Sequence, residues 1–146
     1  MLRGNSPAKV DAKGRIKIPS TFRKFIEEKF GRDCFVTSTD GEYVRVYPMP
    51  VWLDIEKKIG SVPSMTPAVA RFKNQVNYWG QLASMDDQGR LLIHPLLRKS
   101  SGVNGEVAVL GSLQWLDIWN REKFESRLKA DPLTEDDHRI LSSLGI

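Results

Sequence analysis

The residues Asp11-Ala12-Lys13-Gly14-Arg15 recur 75 positions later as Asp86-Asp87-Gln88-Gly89-Arg90, and these two pentapeptides carry the residue types best placed for chemistry in this 146-residue chain. Aspartate, glycine and arginine at that spacing admit two readings. In the first, the two charges form a surface ion pair across a tight hairpin, worth only ~0–1 kcal/mol. In the second, the aspartate accepts backbone N–H bonds within the turn and steers the guanidinium outward, towards phosphate or the guanine edges of a major groove. Repetition of the pattern, and the lysines around its first copy, Lys9, Lys13 and Lys17, favour the second.

Other reactive sets are poorer. Asp86 and Asp87 make a carboxylate pair, but adjacent residues on a strand or turn point apart. Asp136, Asp137 and His138 supply metal-type ligands near the end of the chain, beyond the patterned region. No Gly-rich phosphate loop or nucleophile elbow occurs. The single cysteine, Cys34, rules out a disulfide within the chain and a thiolate metal cluster, and His94 and His138 lie far apart. A small core residue and a helix-start residue are the simple readings of Cys34 and His94. The expectation is a non-enzyme with no catalytic residues, no cofactor, no metal and no small-molecule substrate. No apolar run approaches the ~20 residues of a membrane span, and the first ten residues lack the apolar core of a signal peptide, so a cytoplasmic protein is expected.

The charge is unevenly placed. Residues 1–75 hold 14 Lys and Arg against 8 Asp and Glu, a net +6, whereas residues 76–146 hold 8 against 10, a net −2. Arg3, Lys9, Lys13, Arg15, Lys17, Arg23 and Lys24 face a single acid, Asp11. A local cationic field of this kind suits a polyanion, although a solvated surface would look the same by charge alone.

The elements that must position these residues are themselves duplicated. At an offset of 75, Ala8, Val10, Ile16, Ile18 and Phe22 fall on Ala83, Met85, Leu91, Ile93 and Leu97, and Arg23 falls on Arg98. Further on the offset becomes 72, setting Phe35, Val44, Val46, Tyr47 and Trp52 opposite Val107, Leu116, Ile118, Trp119 and Phe124. A three-residue deletion in a loop accounts for the change. Each unit reads as a hairpin of period-two strands about a glycine turn, a helix, a second hairpin, and a short helix. In the first unit Pro19 suits the first helical position, Cys34 to Ser38 and Tyr43 to Tyr47 the second hairpin, and Trp52, Ile55 and Ile59 one face of the closing helix. Thr66 and Pro67 open a linking helix between the halves. The chain therefore divides into a first repeat, 1–60, a linking helix, 61–77, a second repeat, 78–130, and an acidic tail, 131–146, flexible or weakly helical.

Strand alternation puts Lys9, Arg15 and Lys17 together on the face opposite the apolar residues. In the second copy the matching positions are Ser84, Arg90 and Leu92, with Gln88 for Lys13, so most nucleic-acid affinity is expected in the first copy.

Arg3-Gly4, VDAKGRIKIP over 10–19, YPMPVW over 47–52 and DDQGRLLIHPLLR over 86–98 resemble the MraZ family of bacterial transcriptional regulators, relatives of the SpoVT/AbrB swapped-hairpin proteins. The resemblance covers about residues 1–130. It implies an α+β, mainly β fold: two tandem swapped-hairpin, AbrB-like repeats closing an intramolecular pseudo-twofold, double-psi-like β-barrel with short flanking helices. It also implies a ring-shaped homo-oligomer, an octamer or larger, and association with the nucleoid. Regulation would act through double-stranded promoter DNA, at repeated elements ahead of the cell-division and cell-wall gene cluster, including the member's own promoter. Carried over residue by residue, the family's DNA-contacting motif falls on Asp11 and Arg15 and again on Asp86 and Arg90, with Arg3, Lys9, Lys13 and Lys17 as supporting cations. One departure is His94 standing opposite Pro19, with proline displaced to Pro95, which shifts the expected start of the second short helix by one residue. The alternatives are an antitoxin-like protein-binding module, with Ile140, Leu141 and Leu144 of the tail as contacts, and an RNA-binding protein. Against RNA, the basic face lacks base-stacking aromatics, because Phe22 and Phe25 lie on the inward helix stripe.

Overall fold

Alternating side chains give the first hairpin its two faces. In β1 (Asn5–Val10) Val10 is buried while Lys9 is exposed, and in β2 (Arg15–Lys17) Ile16 is buried between Arg15 and Lys17. The computed structural model describes residues 1–63 and 65–146, so position 64 of the expected linking segment lies outside the described residues. After α1 (Ser20–Phe30) come β3 (Asp33–Thr37), β4 (Val44–Pro48), α2 (Met49–Gly60) and α3 (Pro67–Trp79). The second repeat follows as β5 (Gln81–Ser84), β6 (Arg90–Leu92), α4 (Pro95–Ser101), β7 (Gly105–Ser112), β8 (Trp115–Asn120) and α5 (Arg121–Ala130), and then α6 (Glu135–Ser143).

The eight strands form one antiparallel sheet in the order β5-β3-β4-β8-β7-β1-β2-β6, curled into a nearly closed barrel. Read around the barrel, with β5 meeting β6 across the nearly closed seam, the order is unchanged by exchanging β1 to β4 for β5 to β8, so the barrel has an internal pseudo-twofold axis. The first hairpin of each repeat is swapped onto the other: β1 pairs with β7 and β5 with β3. The axis passes between β2 and β6 and, on the far side, between β4 and β8. Ile16, Leu91, Val36, Val44, Val109 and Ile118, all fully buried, fill the interior from both repeats. Neither repeat can close this core alone.

Pairing corrects one part of the repeat alignment. Lys9 pairs with Glu106, and its counterpart Ser84 pairs with Asp33, so β7 is β3 shifted by 73 residues, not 72. Cys34 and Val36 then match Val107 and Val109, all inside the barrel, and Phe35 matches Ala108 on the outer face. A one-residue slip reverses every side chain of a strand, so the sequence match of Phe35 with Val107 joins an outward residue to an inward one. The offset of 72 begins only at β4 and β8. Two residues are thus lost before β7 and one in the loop after it.

Pro19 is the residue before α1 rather than its first helical residue, and His94 holds the same place before α4. The two helices start 75 residues apart, so displacement of proline to Pro95 does not shift the second start. His94 instead places its Nε2 2.6 Å from the Trp79 carbonyl at the end of α3. α4 is shorter than α1 because Gly102 turns left-handed, at φ 69°, where α1 has Glu27.

Helices α2 and α3 cover the outer face of the first repeat through Phe35, Tyr47, Val51, Trp52 and Val76. The hydroxyl of Thr37 donates to the Val76 carbonyl at 2.6 Å, fixing the last turns of α3 to β3. The matching helix of the second repeat, α5, buries no residue. The acidic tail contains a capped helix: the Thr134 hydroxyl accepts the Asp137 N–H at 3.1 Å and the Asp137 carboxylate accepts the Thr134 N–H at 2.9 Å. Three acids in its first turn suit the positive end of the helix dipole. Like α5, α6 buries nothing.

Candidate nucleic-acid interface

Both turns are built by the same set of bonds. In the first, Asp11 N–H donates to the Arg15 carbonyl at 2.9 Å and Gly14 N–H to the Asp11 carbonyl at 3.0 Å. The Asp11 carboxylate accepts the N–H groups of Lys13 and Arg15 on one oxygen, each at 2.9 Å, and Arg15 Nε on the other at 3.4 Å. In the second, Asp86 accepts Gln88 and Arg90 N–H at 2.8 and 2.9 Å and Arg90 Nε at 3.2 Å. The backbone bond from the arginine, ahead of the guanidinium itself, holds each carboxyl below its ordinary value. Gly14 and Gly89, at φ 85° and 75°, supply the left-handed conformation that lets the following arginine N–H reach back. Each aspartate therefore aims its arginine while binding the backbone that carries it.

The barrel then brings the two arginines onto one surface. Strands β2 and β6 pair with Arg15 opposite Leu92, Ile16 opposite Leu91 and Lys17 opposite Arg90. Ile16 and Leu91 point inward, so Arg15, Lys17, Arg90 and Leu92 share the outer face of a two-stranded antiparallel ribbon. Arg90 therefore does not lack cationic neighbours: Lys17 of the first repeat lies directly across from it. The stripped look of the second copy holds along its own chain and not in the folded protein.

Cross-braces between the repeats fix the ribbon. Ile18 N–H donates to the Gly89 carbonyl and Ile93 N–H to the Gly14 carbonyl, each at 2.9 Å. Arg23 on α1 lies against the second turn, donating to the Asp87 carbonyl at 2.8 Å and to Glu27 at 2.9 Å. Arg98 on α4 lies against the first turn, where a Cβ on Gly14 would fall 2.4–2.7 Å from its guanidinium atoms. Asp87 is bound by Arg32 at 2.7 Å, so the adjacent carboxylates Asp86 and Asp87 are each engaged by a different arginine. The 75-residue recurrence of Arg23 and Arg98 is visible in the sequence, but their bracing role depends on the swap.

The remaining expected cations are more scattered. Lys13 stands exposed in the first turn. Lys9 is on the same sheet but faces Glu106 of β7, whose carboxylate is held by Arg121 at 3.3 Å. Arg3 lies beyond the opposite end of β1, at least ~17 Å from the turn at 3.3–3.4 Å per strand residue. The ribbon core is Lys13, Arg15, Lys17 and Arg90, with Asp11 and Asp86 as positioners.

Among the described residues no cluster of three or more His, Cys, Asp or Glu side chains is placed to hold a metal ion, and no helix is long and apolar enough to cross a membrane. Burial pushes the Cys34 thiol up to about 12, the opposite of what a reactive thiolate needs.

Comparison with known proteins agrees with the repeat structure. A family model described as "MraZ protein, putative antitoxin-like" matches residues 1–75 and 81–143. The chain is 40% identical over 146 residues to a protein of Acidobacterium capsulatum and 44% identical over 147 residues to one of Koribacter versatilis, each alignment covering both chains in full. It is 32% identical to a protein of Nitrosomonas europaea over 86% of this chain and 84% of that one. All three relatives bear the name transcriptional regulator MraZ.

Proposed function

The chain belongs to the MraZ family, and from that premise we propose that it is a transcriptional regulator whose β2–β6 ribbon binds double-stranded promoter DNA in a sequence-specific manner. The observation that carries the reading is the pairing of β2 with β6, which gathers Arg15, Lys17 and Arg90 on one two-stranded ribbon. A ribbon of this width fits the major groove, where arginine can pair with guanine O6 and N7. The targets in this reading are repeated promoter elements of the cell-division and cell-wall gene cluster, including its own promoter. The site performs no catalysis and takes no cofactor, and the protein acts in the cytoplasm on the nucleoid.

One ribbon is a weak reader. Four cations reaching ~4 phosphates give an affinity typical of non-specific binding, with a salt slope near −3.6. A ring-shaped homo-oligomer, an octamer or larger, would present several ribbons to successive elements and raise avidity by ~10²–10⁴ without any further interaction. The exposed α5 and α6, with Leu128, Ile140 and Leu144 uncovered, leave surface for assembly. The same apolar residues support the antitoxin-like alternative, in which α6 seats a protein partner.

Light scattering of the purified chain and a gel-shift against DNA upstream of its own gene test the reading together. A multimer that retards this DNA at concentrations where scrambled DNA stays free is expected. A monomer, or equal retardation of both DNAs, refutes it.

A further inference from the structure

The outer face of the ribbon is not uniformly cationic. One cross-strand pair sets cation against cation, Lys17 and Arg90, and the other sets Arg15 against Leu92. Leu92 is 50% exposed, whereas its neighbours Leu91 and Ile93 are fully buried, so strand alternation points its side chain straight off the DNA-facing surface. Arg15 is across from it, and Arg90 precedes it by two residues on the same face. Its counterpart in the first repeat is Lys17. A solitary exposed leucine on a protein surface is ordinary. A leucine between two aimed arginines is different, because the cations around it select a polyanion as the occupant of the whole face.

We propose that Leu92 reads thymine, packing its methyl groups on the 5-methyl of a thymine in the major groove beside the position touched by Arg15. The inference rests on the DNA-binding reading above. A leucine cannot bind phosphate or pair with a polar base edge, and the thymine methyl is the apolar group that the major groove displays. Arg15 and Leu92, as a direct cross-strand pair ~4.5–5.5 Å apart at Cβ, are spaced to touch neighbouring groups of one groove wall. The opposite pair, Lys17 and Arg90, has no apolar member. The ribbon consequently carries its apolar contact at one end alone, although the strands beneath it are related by a twofold axis.

The test compares the upstream duplex with the same duplex carrying uracil in place of thymine, which removes the methyl and keeps the base pair. Wild-type protein is expected to bind the uracil duplex about fourfold more weakly, the equivalent of one buried methyl at ~0.8 kcal/mol. Leu92→Ser and Leu92→Ala are expected to bind thymine DNA about fourfold more weakly than wild type and to make no distinction between the two duplexes. Equal wild-type binding to both duplexes overturns the proposal. So does a thymine preference that persists in both variants, since it would arise from another residue or from DNA shape. A change in oligomer mass in the variants, with thymine preference intact, would assign Leu92 to a protein interface instead. Failure of wild type to prefer the upstream duplex over scrambled DNA would refute the DNA-binding reading itself, a separate outcome.

Discussion

Replacing Arg90 by alanine should weaken DNA binding nearly as much as replacing Arg15, although the second repeat looks poor in charge along its own chain. The two arginines have matching support: Asp11 and Asp86 hold them at 3.4 and 3.2 Å, and both lie on the β2–β6 ribbon. Removal of one cation from a phosphate should flatten the salt slope by ~0.9, which makes the affinity change between 50 and 200 mM salt about 3.5-fold smaller. If each arginine also pairs with a guanine, the promoter duplex should lose a further ~1–3 kcal/mol, about 5- to 150-fold. The fold should be spared. Both ion pairs are solvent-exposed and screened, so they add little stability and the melting temperature should move by no more than ~4 °C, and the backbone bonds to each aspartate remain. Fluorescence anisotropy over a salt series, with thermal melts followed by circular dichroism, measures both quantities. Wild-type affinity and slope in Arg90→Ala, alongside loss of binding in Arg15→Ala, would refute the single-ribbon argument and return recognition to the first repeat. Loss of the folded signal in either variant would make that arginine structural.

On the opposite side of the barrel, Arg45 and Asp117 form a two-pronged ion pair at 2.8 and 3.3 Å with side chains 18% and 17% exposed. Burial opposes the charge on Arg45, but the bonds it donates to Asp117 and Tyr47, together with the charge of Asp117, outweigh that and raise its pKa; Asp117→Leu should therefore cost ~3–5 kcal/mol in chemical denaturation, and the double replacement with Arg45→Leu distinctly less. A double variant as unstable as the single one would contradict that cause. Asp11 and Asp86 have folded pKa values below their unfolded ones, so the turns are fully supported above the ordinary carboxylate pKa of 3.8 and lose that support as pH falls through the lowered folded values. Hydrogen exchange at Lys13 and Gln88 should accordingly be flat from pH 7 to 5, after correction for intrinsic rates, with opening only in stronger acid; opening near pH 6 would point to another group. Removing residues 131–146 should leave the barrel's melting temperature unchanged within ~2 °C when both proteins are compared as monomers, because α6 buries nothing within its own chain, and a larger drop would mean that the tail is part of the stable fold.

The hairpins are readable in the sequence because their apolar and charged residues alternate with period two, and the turns because aspartate, glycine and arginine recur at fixed spacing. Arg15 and Arg90 are identifiable for the same reason. What alternation along one chain does not encode is which strand lies alongside. Lys17 and Arg90 are 73 residues apart, and only the swap of hairpins places them face to face. The bracing of each turn by Arg98 and Arg23 of the other repeat follows from the same exchange. Hydrophobic matching also misplaces Phe35 against Val107, since both are apolar and buried; only the pairing of Ser84 with Asp33 shows that one faces the outer helices and the other the barrel interior. The helix in the tail has a legible start in Thr134 and Asp137, obscured by an acidic composition and a short amphipathic run.

Hydrogen–deuterium exchange of the intact protein, with and without the upstream duplex, tests most directly whether the β2–β6 ribbon is the DNA-binding surface. Protection should concentrate in peptides spanning residues 9–19 and 86–95, in both repeats at once, and scrambled DNA at the same concentration should give less. Protection confined to α5 and α6, or to residues 9–19 with 86–95 unchanged, would contradict the account.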